Sequence, residues 1–500
     1  MNNLSKILKS WCSKFAKRVS PAMFATILVA IISGIILFIP PIKGLGDNGD
    51  FYNVLLTNGL YRLPMHYNQL SDYVINKFGI LHYYNENHFY TFTSQMISVK
   101  LAMFLNKLFY SRTVFDIRFM GLVHYGFYLG GIYLLTKSLV HPFRKVGSYV
   151  IAFLVVLILG DSAYTLFFNS FYAEAGMFVL IIYIMAAIMS LARDVYAKNW
   201  PMVWLFFVAS ILLVTSSQAN ASLTISLVIM AIGLVFLPGF KARRLAVAFG
   251  ALTIFLAGVG IYFSANEEAV NANKLQAFSQ GVLLENTKDP TEDIDRGGVD
   301  GQYSLIRGKN YYTDSYTAIK PSGAYTKKHL LKKINVGWTV HYYATHLKQF
   351  NNLLDVAATD IPNLQMKNVG DFSRNSGHKP RAQTRYFTLY SATLGAFYPG
   401  KYAFDLLIMI GAIGAYAVGF YLDNKRNHYY GIVRFFLVVG LMLALVYIPI
   451  YAVITGGEFN LAQRLFMAVT SLNLTILLFV SDIINHTLWH TTPEEDDDEE

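Results

Sequence analysis

Long apolar runs separated by short polar connections dominate the chain, and a run of about 20 mostly apolar residues is the length of a membrane-spanning helix. Ten such runs are predicted: Met23 to Pro40, Arg118 to Val140, Ser148 to Leu159, Ala175 to Ala192, Pro201 to Thr215, Ala221 to Leu237, Leu245 to Ala265, Tyr402 to Leu422, Gly431 to Thr455 and Ala462 to Ile484. The third and fifth are short and need flanking polar residues to be drawn in. Two stretches break the rhythm, 42–117 and 266–401. In the first, Leu55 to Leu63 and Met96 to Phe109 carry apolar residues at helical spacing with polar interruptions, the pattern of helices lying along a membrane interface. The second opens polar and rich in Gly and Asp from Asn286 to Gly301, passes through Tyr311, Tyr312 and Tyr316 as candidate short strands, and returns to a helical pattern from Lys327 to Asp355. The expected fold is an α-helical polytopic membrane protein of about ten transmembrane helices with a partly helical external insertion. It divides into an N-terminal membrane region (1–265, with a first external loop at 42–117), an external module (266–401), a C-terminal membrane region (402–486) and a disordered acidic tail (487–500).

Composition agrees, since 54% of the 500 residues are hydrophobic. Charge sets the expected orientation, because Lys and Arg in short loops are retained on the cytoplasmic side. Lys6, Lys9, Lys14, Lys17 and Arg18 precede the first run, and Arg144/Lys145, Arg193/Lys198, Lys241/Arg243/Arg244 and Lys425/Arg426 occupy alternate connections. Both termini are therefore expected in the cytoplasm of a multi-pass plasma-membrane protein. Much of the net charge of +10 falls at these membrane boundaries, where basic side chains meet anionic headgroups, and this argues against a nucleic-acid partner. The first apolar run ends in Phe38-Ile39-Pro40-Pro41 without a small-residue cleavage pattern and is expected to stay as an anchor. The lone Cys12 can form no internal disulfide. Tyr83, Tyr84, Phe89, Tyr90 and Phe92 form an aromatic cluster suited to interfacial anchoring.

Candidate chemistry gathers at the expected external ends of the runs. Gly46-Asp47-Asn48-Gly49-Asp50-Phe51 presents two carboxylates in a glycine-rich turn that can aim one of them back toward the membrane surface, as a general base requires. The structural alternative is that both cap the segment starting at Phe51. Asp161 follows the third run and Glu174 opens the fourth, within Phe168-Asn169-Ser170-Phe171-Tyr172-Ala173-Glu174. An acid at the edge of an apolar helix needs a partner or a task, although the helix dipole alone favours it there. Gln218, in the Ser-Ser-Gln-Ala-Asn turn, offers an amide suited to sugar hydroxyls. Glu458 precedes Arg464 near the last run, and this guanidinium either clamps a phosphate or pairs with Glu458. Arg374, His378, Lys379, Arg381 and Arg385 form the strongest phosphate candidate, at headgroup height. No His/Cys ligand spacing is present, but Asp47, Asp50, Asp161 and Glu174 would suit a hard divalent cation if they converged.

The succession Gly-Asp-Asn-Gly-Asp-Phe, Phe-Asn-Ser-Phe-Tyr-Ala-Glu-Ala, Ser-Ser-Gln-Ala-Asn and Gly-Gly-Glu resembles the bacterial glycan-biosynthesis hexose transferases of the membrane-embedded GT-C type. The resemblance implies an enzyme that moves a hexose from a polyprenyl-phosphate carrier to an acceptor hydroxyl of a glycan or glycolipid on the outer face, by inverting displacement and with no required cofactor. It maps the catalytic acids onto Asp50 or Asp47 and onto Glu174. Asp161, Tyr172, Gln218 and Glu458 become substrate contacts, and Arg381, Arg385, Lys379 and Arg464 phosphate contacts. The competing expectations are a transporter or flippase of lipid-linked saccharides, which would carry charged or broken helices near the midplane, and a non-catalytic glycan-binding scaffold.

Overall fold

The computed structural model describes residues 18–66, 69–82, 93–141, 146–238, 241–284, 290–311, 319–426 and 428–489. Cys12, the N-terminal basic cluster apart from Arg18, the aromatic cluster 83–92, Arg144/Lys145, Tyr312, Tyr316 and the acidic tail lie outside them. Helices dominate: α1 (Pro21–Phe38), α2 (Phe51–Thr57), α3 (Gln95–Phe109), α4 (Arg118–Val140), α5 (Val146–Leu159), α6 (Ser162–Thr165), α7 (Glu174–Ala192), α8 (Trp200–Thr215), α9 (Thr224–Leu234) and α10 (Lys241–Phe263). After them come α11 (Glu267–Ala277), α12 (Pro290–Arg296), α13 (Val336–Thr345), α14 (Leu347–Asp360), α15 (Leu389–Phe397), α16 (Tyr402–Lys425), α17 (Tyr430–Gly456), α18 (Leu461–Arg464) and α19 (Phe466–Ile484).

Seven helices among the described residues are long and apolar enough to cross a membrane: α1, α4, α7, α10, α16, α17 and α19. An eighth span forms if α5 and the segment Ser162–Asn169, bent by 50° from it, are taken as one. The count of about ten included α8 and α9 as full spans. The structure makes α8 a 16-residue helix, and α9 continues a 3-10 turn over Gln218–Leu223 rather than a regular helix. Both lie close to their predicted bounds, with Gln218 and Asn220 in the connection between them as expected, but they are shorter than a full span.

The spans pack around α7, of whose apolar window 83% is buried. Its neighbours are α4, α8 and α17, and α17 in turn packs on α9, α16 and α19. Because successive spans reverse direction, two sets of polar connections gather at opposite ends of the bundle. Residues 46–48, 172 and 463 are hydrogen-bonded at one end, and Arg193, Arg434 and Asp482 at the other. The first end carries a three-stranded antiparallel sheet, β1 (Leu60–Arg62), β2 (Lys77–Ile80) and β3 (Val114–Asp116), with Leu60 facing Ile80 and Phe78 facing Phe115. Strands therefore form in the first connecting stretch, where helix was expected to run to Leu63. Among the described residues, 266–401 contributes only the isolated bridges Lys43–Phe372 and Val74–Ser373. The helical pattern expected from Lys327 to Asp355 is realised in pieces, with a π-helical turn at Lys327–Leu331 before α13 and α14.

Candidate active site

The glycine-rich acidic hexad forms a loop and the start of α2, and its two carboxylates have opposite surroundings. Asp47 is 1% exposed. Its Oδ1 accepts from the backbone N–H of Gly49 at 2.7 Å and of Phe51 at 3.2 Å, while Oδ2 ion-pairs with Arg62 of β1. Asp47 thus does the capping that sequence assigned to both acids, and Gly49, at φ 114°, takes the left-handed turn between them. Burial draws the Arg62 guanidinium below its ordinary value, against a smaller raising influence of Tyr172. Asp50 makes no cap hydrogen bond and stands exposed.

Two ring contacts and two hydrogen bonds fix this loop to the bundle. Phe51 meets Phe171 and Tyr172 edge-on, with centroids at 5.5 and 4.7 Å, and the Tyr172 hydroxyl donates to the Gly46 carbonyl at 2.8 Å and accepts from Asn48 N–H at 3.0 Å. Burial raises the Tyr172 phenol well above its ordinary value, so it stays a neutral donor. Two residues further on, Glu174 opens α7, 7% exposed, with Oε2 lacking a hydrogen-bond partner. A buried carboxylate oxygen without a partner calls for a physical explanation.

Gln463 of α18 joins these pieces. Its Nε2 donates to Asp50 Oδ2 at 2.9 Å and its Oε1 accepts from Asn48 Nδ2 at 3.0 Å. The charge of Asp50 is felt by Glu174, Tyr172 and Arg464. Arg464, beside Gln463, is held by neutral groups, Thr455 Oγ1 at 3.2 Å and Asn273 Oδ1 at 3.0 Å, rather than by Glu458. Gly456 makes room for it, since a Cβ there would stand 2.3 Å from the guanidinium. Gly457, at φ 58°, turns the chain so closely against Gln280 that its own Cβ would lie 2.4 Å from that carbonyl oxygen. One end of the bundle thus assembles two acids, an amide that joins Asp50 to Asn48, and a guanidinium with no paired carboxylate among the described residues.

The other expected site residues lie elsewhere. Asp161 is consumed by two helix starts: Oδ1 accepts from Ala163 N–H at 2.9 Å at the start of α6, and Oδ2 from Ser391 N–H at 2.9 Å near the start of α15. Gln218 begins the 3-10 turn, and its neighbour Asn220 bonds back to Leu213 and Ser216. Glu458 donates its N–H to Gln280, and its charge reaches Tyr343. Arg381 pairs with Asp72 at 2.8 Å, whereas Lys379 and Arg385 stand exposed. The four acids weighed as a divalent-cation site do not converge, because Asp47 and Asp161 are engaged in capping. No group of three or more His, Cys, Asp or Glu that could hold a metal occurs among the described residues. Sequence reasoning missed Gln463 and Arg62. The only signal for Gln463 was its position next to Arg464.

No curated protein and no solved structure matches the chain. A family model does: the YfdI N-terminal transmembrane domain matches residues 5–500, so the chain belongs to that family of membrane proteins.

Proposed function

We propose that the protein is a membrane glycosyltransferase that moves a hexose from a polyprenyl-phosphate carrier to an acceptor hydroxyl of a surface glycan or glycolipid, at the membrane end where Asp50 and Glu174 meet. The observation that carries this reading is the exposed carboxylate of Asp50 held by the Gln463 amide at 2.9 Å, with the buried Glu174, whose Oε2 has no partner, close enough to feel its charge. The succession of short motifs in the sequence supports the same activity. Asp50 is the general base. With Oδ2 fixed by Gln463, its other oxygen is available to take the acceptor proton as the acceptor oxygen bonds to the anomeric carbon. The bond from that carbon to the carrier phosphate breaks, the electron pair leaves with the phosphate, and configuration inverts without an enzyme-bound intermediate. Glu174 orients the acceptor or sugar hydroxyls through its unpartnered Oε2. Arg464 faces the charge developing on the leaving group, where a preorganised cation contributes most. Orientation follows from the basic alternate loops, which put this end on the outer face and both termini in the cytoplasm.

The test is turnover of purified protein with polyprenyl-phosphate hexoses and candidate glycan acceptors, comparing wild type with Asp50→Asn and Glu174→Gln. Loss of transfer in both variants with retained folding supports the assignment. Undiminished transfer in both removes it.

A further inference from the structure

Arg464 ties two elements together and is neutralised by neither. Its Nη1 donates to Thr455 Oγ1, in the last turn of α17, at 3.2 Å, and its Nη2 donates to Asn273 Oδ1 of α11 at 3.0 Å. No carboxylate pairs with it among the described residues, and Asp50, whose charge it feels, is held by Gln463 instead. A guanidinium carries five N–H donors, so most of them are left over. Nε has no acceptor among the described residues and reaches solvent, and the residue as a whole is partly exposed. The frame that places Asn273 is tightly built. α11 packs on α17 and runs straight into a π-helical turn, Phe278–Val282, in which the Gln280 carbonyl accepts from Glu458 N–H at 2.9 Å. Gly281 and Gly457 let the two backbones meet, since a Cβ on Gly281 would lie 3.1 Å from the Gly457 Cα. Gln349 of α14 locks the turn, donating to the carbonyls of Val282 at 2.8 Å and Gly281 at 3.4 Å. Asn273 itself is exposed, so core packing does not dictate its identity. An aspartate there would have the same shape and would add an ion pair to the tie. The amide makes the tie and leaves the charge uncancelled.

We infer that Asn273 is a positioning residue: from the stretch 266–401 it holds Arg464 ready for a phosphate group without neutralising it. The inference rests on the proposed function, in which Arg464 faces the departing phosphate, and adds where the orientation of that cation comes from. Thr455 and Asn273 each hold one terminal nitrogen, which fixes the guanidinium plane from two elements. The remaining N–H groups, Nε–H included, offer the fork that phosphate oxygens accept. The phosphate is either an ester on a lipid or free in solution, and its chemistry at the guanidinium is the same. The stretch 266–401 then completes the site rather than merely covering it.

The experiment uses the whole chain, delipidated in a phosphate-free maltoside detergent. Calorimetry measures the binding of farnesyl phosphate, inorganic phosphate and uncharged farnesol to wild type, Asn273→Asp, Asn273→Ala, Arg464→Gln and Asp50→Asn, and ligand-free melting is followed in parallel. Farnesyl phosphate is expected to bind Arg464→Gln about tenfold or more weakly than wild type, and Asn273→Asp about fivefold or more weakly. Asn273→Asp should nevertheless melt at or above the wild-type temperature, because its carboxylate pairs with the guanidinium. Asn273→Ala keeps the charge and loses only the orientation, so its affinity should fall between those of wild type and Asn273→Asp. A merely structural tie predicts another pattern: Asn273→Ala melts lower, Asn273→Asp does not, and both keep the wild-type affinity. Binding by Asn273→Asp within about twofold of wild type overturns the inference. So does its melting well below wild type, which would mean that carboxylate and guanidinium do not meet, and so does farnesol binding as tightly as farnesyl phosphate. Competition by inorganic phosphate supports the site with free phosphate as a sufficient ligand, and absence of competition supports it with the lipid ester as the ligand. Asp50→Asn is expected to bind no more weakly than wild type. Because every arm reads binding without turnover, this inference and the proposed transfer reaction can fail separately.

Discussion

At the scale of single residues, the two acids of one short loop separate structure from chemistry. Asp47 is buried, ion-paired and bonded to two backbone N–H groups, whereas Asp50 is exposed and held by one amide. Asp47→Ala strands Arg62 without its partner and uncaps α2, so a loss of about 3 kcal/mol of stability is expected, read as a fall in the chemical-denaturation midpoint. Asp50→Asn is expected to shift that midpoint by less than about 0.5 kcal/mol, yet to lower the transfer rate by about 10²-fold or more, because it removes the base and keeps the shape. Equal destabilisation by the two substitutions would contradict this division. Gln463→Ala frees Asp50 Oδ2 and Asn48 together, and a drop in kcat of about tenfold with KM nearly unchanged is expected of a residue that only positions the base. Sequence showed the acids because a carboxylate beside an apolar run is conspicuous. Gln463 escaped because its importance lies in what surrounds it: a neutral amide is ordinary until it holds the carboxylate of a candidate base.

At the scale of elements, helices were legible wherever apolar length decided them. The bounds predicted for α4, α7, α16, α17 and α19 agree closely with the observed ones. Where two elements share an anchor, the pattern fell silent. Asp161 reads as an exposed acid after an apolar run, but it is 1% exposed and joins the start of α6 to that of α15, which lies more than two hundred residues further along the chain. No local signal reports such a long-range cap. Asp161→Ala removes one acceptor from each of two helix starts, and since a lost cap typically costs about 1 kcal/mol, a combined loss of about 2 kcal/mol is expected in denaturant unfolding. Asp161→Asn keeps one acceptor and should lose about half of that. The sheet was missed for a related reason: β1, β2 and β3 are three or four residues each, too short for alternation to stand out, and they exist because Phe78 and Phe115 pack on Phe171.

At the scale of the whole molecule, the two ends of the bundle are held by different physics. At the end opposite the acids, Asp482 accepts from Arg193 at 2.7 Å, Arg434 at 3.0 Å and Tyr416 at 2.8 Å, a buried network that binds α7, α16, α17 and α19 together. Asp482→Asn leaves two buried guanidinium groups short of charge, and a loss of about 3 to 5 kcal/mol is expected, measured as thermal melting in detergent. The site end is joined by backbone bonds in addition to the side-chain contacts of Tyr172 and Gln463. The N–H groups of Gly44 and Gly46 donate to the carbonyls of Asp371 and Gly370, which seats the acidic loop on residues 370–371. The Asp371 side chain in turn accepts from Thr384 N–H at 2.8 Å and from Gln365, with Oδ1 left without a partner. Burial pushes this carboxyl up to about 7 from 3.8, against the smaller opposing pull of its hydrogen bonds to Thr384 and Gln365. Between those two values the folded chain binds a proton that the unfolded chain has released. The stability due to Asp371 is therefore greatest below about pH 4 and declines as pH rises to about 7, at about 1.4 kcal/mol per unit where the two states differ by a full proton. In Asp371→Asn that slope should vanish, so the variant and wild type should differ most above pH 7 in favour of the variant. Denaturant midpoints taken between pH 5 and 8 on both proteins decide it: parallel profiles would mean that Asp371 stays ionised throughout and that the seat of the acidic loop does not respond to protons.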